Sequence, residues 1–204
     1  MQRQKHWESV YKNNSEQQVS WFEALPKVSL RMMESAGLTT NTCVIDVGGG
    51  DSRLVDHLAA RGLDCLAVLD VSGSALKRAR SRLGSAALVP IWIEADVTAD
   101  WSLKPMDIWH DRAVFHFLTS SDDRHRYRSR LLATLKPGGT AIFAAFALDG
   151  PDRCSGLPVQ RYSPTTLAEE LGPDLEILEF VRHVHTTPWG VAQSLIYCRF
   201  QRMH

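Results

Sequence analysis

The chain has 204 residues, 44% of them hydrophobic, and its 23 basic residues balance 23 acidic ones. This length and apolar fraction suit one folded domain, and the balanced charge excludes binding of nucleic acid or of an anionic membrane through bulk charge. No apolar run approaches the roughly 20 residues that cross a bilayer, and the N-terminus lacks the apolar segment of a secretory signal. We therefore expect a cytoplasmic protein with neither a membrane nor a nucleic-acid partner.

Four cysteines lie far apart in the sequence without a Cys-x-x-Cys pair, namely Cys43, Cys65, Cys154 and Cys198. Three of them fall in predicted strands, where a thiol usually behaves as a small buried hydrophobe, and Cys154 falls in a loop. This spacing favours reduced cysteines over a disulfide or a structural zinc site.

Residues 1–40 are predicted to form a helical segment ahead of the main pattern. Trp7 and Tyr11, with a valine between them, fall on one face of a short helix. A polar run then leads into an aromatic cluster at residues 19–22, and a second helix is predicted over residues 26–35.

A regular alternation of strands and helices begins at Cys43. Strands are predicted near residues 43–47, 65–70, 88–94, 106–110 and 139–146, and helices near 52–61, 73–82 and 121–135. Alternation of this kind predicts an α/β fold, in which a parallel sheet carries helices on both faces.

The pattern changes near residue 147. Residues 148–163 form a long polar loop, which in a compact domain is usually functional or mobile. A helix is predicted to begin at Ser163, with Pro164 at its first position. Strands near 175–185 and 192–201 then form an antiparallel hairpin.

The stretch Thr42–Arg53 combines a strand, a glycine turn and the start of a helix. An apolar run rich in β-branched residues ends at Asp46, and three glycines follow at 48–50. Glycines let the backbone turn sharply and let a ligand approach it, and Asp51 and Ser52 stand where the helix N-cap is expected. The stretch therefore predicts the first unit of a nucleotide-binding domain.

This turn fits a nucleoside better than a dinucleotide. The fingerprint Gly-x-Gly-x-x-Gly would need glycine at Arg53, and a pyrophosphate would meet Asp51 at the mouth of the helix. Asp70 ends the second strand about 20 residues after the glycines, where a carboxylate accepts ribose hydroxyls, and Asp96 ends the third strand, where it can meet a base edge. These acids and Asp46 are expected to converge at the carboxyl edge of the sheet; the alternative is that each only caps the helix after it.

Four motifs in order carry a family resemblance. They are Val44–Gly50, Val68–Ser72, Glu94–Val97 and Leu135–Gly139. Together they resemble class I S-adenosylmethionine-dependent methyltransferases over residues 42–147. The resemblance implies S-adenosylmethionine as cofactor and a Rossmann-like seven-stranded sheet of order 3-2-1-4-5-7-6, with strand 7 antiparallel. The turn of this family often reads Gly-x-Gly-x-Gly, and Ser52 replaces its last glycine here.

The cofactor contacts follow from this resemblance. Asp46 and the glycine turn would hold the methionine end, Asp70 the ribose, and Asp96 with the backbone of Val97 the adenine. The predicted cofactor-binding residues are Trp21, Asp46, Gly48, Gly49, Gly50, Asp51, Asp70, Val71, Asp96, Val97 and His110.

The end of the fourth strand is the expected place of the chemistry. His110, Asp111 and Arg112 would lie beside the sulfonium and are the catalytic candidates for in-line displacement at the methyl carbon, which depends on alignment and on exclusion of water. A general base is needed only if the acceptor carries a proton, and histidine is then the natural choice. The alternative is an ion-paired strand end, and His116 is expected to pack rather than react.

The N-terminal aromatic residues predict a lid. The stretch from His6 to Phe22 resembles the start of a methyltransferase branch that includes protein-lysine methyltransferases of elongation factors. In that branch the fourth strand is followed by Asp-Lys-Gly-Thr, whereas residues 111–114 here read Asp-Arg-Ala-Val. The alternative is a helix that only covers one edge of the sheet.

The C-terminal part of the chain offers three further features for an acceptor pocket. They are the loop 153–156, the pair Arg161 and Tyr162, and the segment 183–189. His183 and His185 alternate along a strand and so share a face. With Cys154 they could bind a soft metal or metalloid. Hydrogen-bonded strand histidines are the default interpretation, and no metal site is predicted.

The sequence thus predicts one domain over residues 1–204, with a lid (1–40), a cofactor-binding core (41–147) and an acceptor loop, helix and hairpin (148–204). The predicted function is methyl transfer from S-adenosylmethionine to a small-molecule acceptor. Methylation of a protein side chain such as lysine is the first alternative. The others are a nicotinamide-dependent oxidoreductase, which Arg53 and the terminal hairpin disfavour, and a non-catalytic nucleoside-binding regulator.

Overall fold

The computed structural model describes residues 2–204. Its helices are α1 (Gln2–Asn13), α2 (Lys27–Ser35), α3 (Leu54–Ala60), α4 (Gly73–Leu83), α5 (Ser121–Thr134) and α6 (Pro164–Leu171). Its strands are β1 (Val44–Val47), β2 (Leu66–Asp70), β3 (Ile91–Glu94), β4 (Met106–Arg112), β5 (Leu135–Phe146), β6 (Arg153–Cys154), β7 (Leu157–Pro158), β8 (Leu175–Thr186) and β9 (Ala192–Arg202).

Seven of these strands form one sheet of order β3-β2-β1-β4-β5-β9-β8. The first five are parallel, and β9 runs antiparallel to both β5 and β8. The short hairpin of β6 and β7 stands outside the sheet. When this hairpin is left out of the numbering, the order is 3-2-1-4-5-7-6 with strand 7 antiparallel, which confirms the predicted fold class.

The central strands are buried on both faces, and successive residues face opposite layers. Ile108 packs with Met33 of α2 in the layer on one face. Trp109 packs with Tyr127 of α5 in the layer on the other, and the indole Nε1–H donates to the tyrosine hydroxyl at 2.9 Å. This alternation decides where the polar residues at the end of β4 point.

Three strand boundaries differ from the predicted ones by two residues or more. Strand β3 begins at Ile91 instead of near residue 88. Strand β4 continues to Arg112, and β5 begins at Leu135 instead of near residue 139. Met106 pairs with Leu135 and Ile108 pairs with Thr140, so a register shift accommodates the expected turn at Gly138, where φ is +74°. The predicted turn is therefore an irregularity within a strand pairing.

The prediction of reduced cysteines is wrong for two of the four. Cys43 and Cys65 form a disulfide, and their Cα atoms are 4.6 Å apart. The cause is strand register: Val44 pairs with Leu66, so the two preceding cysteines lie side by side on adjacent strands. Cys154 and Cys198 are buried free thiols.

Among residues 2–204, no helix is both long and apolar enough to cross a membrane.

Candidate functional site

A cleft that encloses about 910 Å³, part of it open to solvent, lies at the carboxyl edge of the sheet. One end is formed by the glycine turn and the ends of β2 and β3, and the other by N-terminal aromatic residues, the β4 end and β8 and β9. We call these the cofactor end and the acceptor end. The first is lined by Gly48, Leu69, Asp70, Val71, Ala95, Asp96 and Val97, and the second by Trp7, Trp21, Arg112, Phe117, Phe146, Cys154, His185, Gln193 and Leu195.

The glycine turn at the cofactor end has no room for side chains. Gly48 has φ of +66°, and a Cβ there would lie 1.9 Å from Cγ2 of Val114. A Cβ on Gly49 would lie 2.5 Å from Oδ2 of Asp46. Bare backbone at this position fits the close approach of a ligand, as predicted for the methionine end of the cofactor.

Asp70 lines the cofactor end at the terminus of β2, where the ribose contact was predicted. Its side chain is buried, and Oδ1 accepts the backbone N–H of Ser72 at 2.8 Å. Burial raises the pKa of Asp70 to about 7, and the nearby charges of Asp46 and Glu8 act in the same direction. The carboxyl group therefore titrates near neutral pH.

Asp96 lines the same end but already has partners. Arg3 of α1 donates through Nη1 to both carboxylate oxygens, at 3.1 and 2.8 Å, and through Nη2 to Asp123 at 2.7 Å. Thr98 donates to Oδ1 through its backbone and its hydroxyl. Burial opposes ionisation, but these bonds and the charge of Arg3 outweigh it, so the pKa of Asp96 is lowered. The sequence pattern did not indicate Arg3.

Helix α1 is fixed over the cofactor end by a second acid. Glu8 accepts from the hydroxyl of Ser72 at 2.9 Å and from the backbone and hydroxyl of Ser74 at 3.0 and 2.6 Å. The hydrogen bonds from Ser74 are the main cause that lowers the pKa of Glu8 to about 2. Trp7 and Tyr11 of the same helix line the cleft.

Asp51 does not act as the predicted N-cap. Helix α3 begins after Arg53, and the carboxylate of Asp51 pairs with Arg78 and Arg82 of α4. It lines a smaller cavity of about 450 Å³, which adjoins the cleft at Tyr11, Trp21 and Arg112. The two arginines thus neutralise the carboxylate of Asp51, which was predicted to contact the cofactor.

His110 lies beneath the turn and outside the main cleft. Its Nδ1 is 2.7 Å from Oδ1 of Asp46, and its Nε2 is 2.9 Å from the hydroxyl of Ser29 in α2. Both ring nitrogens thus have partners, and the ring is 2% exposed. It lines only the smaller cavity. The hydrogen-bonded series Ser29–His110–Asp46 fixes the Asp46 carboxylate next to Gly49.

The three catalytic candidates of β4 do not face the cleft together, because successive strand residues alternate in direction. Asp111 points into the opposite layer, where its carboxylate accepts from Tyr127 and from the backbones of Val114 and Phe115. Burial raises its pKa to about 6. It lines neither cavity, and we no longer count it as a candidate for contact with the acceptor.

Arg112 returns to the face of His110 and lines both cavities. Its three nitrogens bind the hydroxyl of Tyr197 at 3.0 Å, the backbone carbonyl of Trp21 at 2.8 Å and Glu23 at 3.1 Å. The alternative of an ion-paired strand end thus holds for Arg112, but its partner is Glu23 and not Asp111. The arginine connects the lid segment to the sheet.

The walls of the acceptor end are mainly aromatic. Trp7 contacts Trp21 and Phe117 edge to face, with ring centroids 5.7 and 5.0 Å apart. The Cys154 thiol is 4.0 Å from the hydroxyl of Ser20, and burial raises its pKa. His116 is buried beside Phe117 and its pKa is lowered to about 3 by burial, so it packs in neutral form.

His183 and His185 share a face as predicted, but Glu23 rather than Cys154 joins them. The nearest ligand atoms of these three residues all lie within 4.8 Å of one another. Nδ1 of His185 is 3.3 Å and Nε2 of His183 is 3.7 Å from Oε1 of Glu23. No sequence spacing connects residue 23 with residues 183 and 185, so the sequence held no signal for this cluster.

The known proteins that this chain resembles in sequence are methyltransferases. Residues 44–139 match the family described as Methyltransferase domain. Over 105 residues the chain is 32% identical to an uncharacterized methyltransferase of Mycobacterium tuberculosis, a match that covers 51% of this chain and 50% of that protein. The chain therefore spans about half the length of this relative.

Two further similarities are more distant. Over 156 residues the chain is 25% identical to EEF1A lysine methyltransferase 2 of Danio rerio. This match covers 69% of this chain and 66% of that protein. A 1,6-didemethyltoxoflavin-N1-methyltransferase of Burkholderia thailandensis, solved with 1,6-didemethyltoxoflavin and S-adenosylhomocysteine, has the same fold. Its TM-score is 0.73 at 17% identity, over 99% of this chain and 88% of that one.

Proposed function

Because residues 44–139 match the family described as Methyltransferase domain and carry the motifs of class I S-adenosylmethionine-dependent methyltransferases, we propose that the protein transfers a methyl group from this cofactor to a small-molecule acceptor. The observation that carries the proposal is one cleft that joins an end lined by Asp70 and Asp96 to a mainly apolar end under α1. Because the two ends are continuous, a cofactor at one end and an acceptor at the other would lie side by side.

The residues of the cofactor end have distinct roles in this proposal. The carboxylate of Asp70 accepts the ribose hydroxyls, and Asp96 and Val97 lie beside the adenine, next to Arg3. The bare backbone of Gly48 admits the methionine end, and Val71 completes this wall. Gly49 and Gly50 shape the turn behind it, packed against Asp46 and Tyr11. Asp46, held by His110, stands behind the turn.

The residues of the acceptor end align the acceptor and exclude water. Bound S-adenosylmethionine supplies a methyl group on a sulfonium, and displacement at that carbon is accelerated mainly by in-line alignment. Arg112 and His185 line this end, but each has partners on its polar atoms. We therefore assign Arg112 a positioning role, through its bond to the backbone of Trp21, and expect an acceptor that reacts as a thiolate, a phenolate or a neutral amine.

A protein side chain is the second candidate acceptor. It is favoured by the similarity to a lysine methyltransferase, which extends over 69% of this chain. It is disfavoured by the sequence at the end of β4, where Arg112, Ala113 and Val114 stand in place of the Lys-Gly-Thr of that branch. The aromatic lining of Trp7, Trp21 and Phe117 suits a flat small molecule equally well.

Transfer of tritiated methyl groups tests the proposal. The purified chain is incubated with methyl-labelled cofactor and a cell extract separated into protein and small-molecule fractions, with Asp70→Ala as the matched inactive control. We expect label in the small-molecule fraction that depends on Asp70. Label in a protein band would instead support the second candidate. Absence of label from both fractions, with S-adenosylhomocysteine still bound, would indicate a non-catalytic regulator, and calorimetric binding of NAD alone would overturn the methyltransferase proposal.

A further inference from the structure

The cluster of Glu23, His183 and His185 lies where the acceptor end meets the smaller cavity. His185 lines the first and Glu23 lines the second. The His185 side chain is 4% exposed, Glu23 is 17% exposed and His183 is 32% exposed. The group is thus sheltered from solvent but can be reached by a small ion.

The distances within the cluster match those between ligands of one metal ion. In a tetrahedral site with metal–ligand distances of about 2.0–2.1 Å, neighbouring ligand atoms are about 3.3–3.4 Å apart. The two histidine nitrogens are 3.3 and 3.7 Å from Oε1 of Glu23. All three ligand atoms lie within 4.8 Å of one another, so rotation of the side chains would bring them around one ion.

Each of the three side chains is also held by a second partner. Nε2 of His185 is 2.6 Å from the backbone carbonyl of Ser20, which only accepts hydrogen bonds, so this nitrogen carries the proton and Nδ1 is left to face Glu23. Arg112 donates to Glu23, and the ring of His183 packs edge to face on Tyr197 at 5.9 Å. Partners of this kind orient metal ligands in known sites.

The donor atoms of the cluster converge on one small space. Nδ1 of His185 and Nε2 of His183 both face Oε1 of Glu23. A divalent ion in that space would accept all three donor atoms at once.

We propose that Glu23, His183 and His185 bind a divalent transition-metal ion, with Zn²⁺ as the best fit. Two histidines and one glutamate, with a fourth position open, form a ligand set that catalytic zinc sites use. The ion and Arg112 together leave net positive charge at the acceptor end. The open position would therefore take an anionic donor of the acceptor, such as a thiolate or a phenolate. Binding of the ion itself does not depend on the proposed methyl transfer.

Cobalt titration of the chelator-treated full chain tests this site. We expect one Co²⁺ per chain, with the visible absorption of a four- or five-coordinate ion, and displacement of the Co²⁺ by Zn²⁺. His183→Ala should weaken Co²⁺ binding at least tenfold, because one of three protein ligands is lost. His125→Ala removes an exposed histidine outside the cluster and should leave binding unchanged.

Glu23→Gln provides a second test that keeps the size of the side chain. Far-UV circular dichroism and S-adenosylhomocysteine binding establish that each variant is folded, and the absorption bands should shift or disappear in this variant. Equal Co²⁺ affinity in the wild type, His183→Ala and Glu23→Gln would overturn the proposal. So would the absence of a visible absorption band at one equivalent of Co²⁺. Neither result depends on methyl transfer, so the metal site and the proposed function can be overturned independently of each other.

Discussion

The cofactor end of the cleft is made by consecutive strand ends, whereas the acceptor end is assembled from segments that are distant in the chain. Gly48, Asp70 and Asp96 each follow one strand of the parallel sheet, so the topology alone brings them to one edge. The acceptor end needs α1, the segment around Trp21, the loop at Cys154 and strand β8 to meet. The first therefore depends on strand order, and the second on tertiary packing.

The two ends also differ in which residues hold them in place. Asp70 and Asp96 each accept hydrogen bonds from a residue two positions further along the chain, Ser72 and Thr98. Arg3 of α1 adds one distant contact, to Asp96. The acceptor end is held by bonds between residues far apart, such as Arg112 with Trp21 and His185 with Ser20. Substitutions at the cofactor end should therefore abolish binding locally, while those that release α1 should change exchange of the ligand more than its affinity.

The largest expected effect comes from Asp70→Ala. Loss of two hydrogen bonds from ribose hydroxyls to a carboxylate costs about 1.5–3 kcal/mol each. The affinity for S-adenosylhomocysteine should therefore fall by about 100-fold or more in isothermal titration calorimetry. Asp64→Ala, at an exposed acid before β2, is the control and should bind normally. Unchanged affinity in a folded Asp70→Ala would remove this residue from the site.

Two glycine substitutions distinguish the destabilisation caused by a steric contact from that caused by backbone strain. Gly48 and Gly138 both have positive φ, at +66° and +74°, but only the Cβ at Gly48 would meet an atom, Cγ2 of Val114 at 1.9 Å. Gly48→Ala should destabilise the protein by about 2 kcal/mol more than Gly138→Ala, because overpacking adds to the strain that both share. Urea unfolding measures the difference. Equal losses would mean that the turn can shift, and that its tight packing is not required.

The pH dependence of cofactor binding tests whether the pKa of Asp70 is raised to about 7. Burial raises its pKa to about 7 in the folded protein, against about 3.9 when unfolded. Folding therefore takes up a proton between these values, and the stability this contributes is present below pH 4 and lost as the pH rises through 7. Cofactor binding has the opposite sign, because ribose hydroxyls need the ionised carboxylate.

The affinity should therefore increase about tenfold from pH 6 to pH 8, as the ionised fraction rises from about 9% to about 91%. Titration calorimetry in two buffers of different ionisation enthalpy should detect release of a proton on binding at pH 6. Asp70→Asn cannot titrate and should show neither effect. A pH-independent affinity in the wild type would place the pKa of Asp70 outside this interval.

The same contrast explains what could be predicted from the sequence. Strand and helix periodicity, with acids at strand ends, predicts the sheet and the positions of Asp70 and Asp96 because both are local patterns. The disulfide of Cys43 with Cys65 depends on the register of β1 with β2, which no local pattern encodes. Asp111 faces the layer opposite to His110 and Arg112 because strand residues alternate in direction. Predicting this required knowing that β4 continues to Arg112. Glu23 is brought to β8 by packing alone, across 160 residues or more.

The smallest expected effect tests whether α1 is a lid or a fixed cover. Arg3 and Arg126 both pair with Asp123, at 2.7 and 3.1 Å, but only Arg3 also binds Asp96 and lines the cleft. Arg3→Ala should release the start of α1 and increase the dissociation rate of S-adenosylhomocysteine severalfold in stopped-flow fluorescence, with Trp7 as a reporter. Because a partly exposed ion pair contributes only about 0–1 kcal/mol, the change in affinity should be small.

Arg126→Ala is the matched control, because it removes an exposed partner of the same carboxylate and leaves the contact with Asp96 intact. Its dissociation rate should equal that of the wild type. If both variants release the ligand at the wild-type rate, α1 is a fixed cover, and the cofactor must enter from the acceptor end. If Arg3→Ala instead lowers affinity without changing the dissociation rate, Arg3 acts on the adenine through Asp96 and belongs to the cofactor end itself.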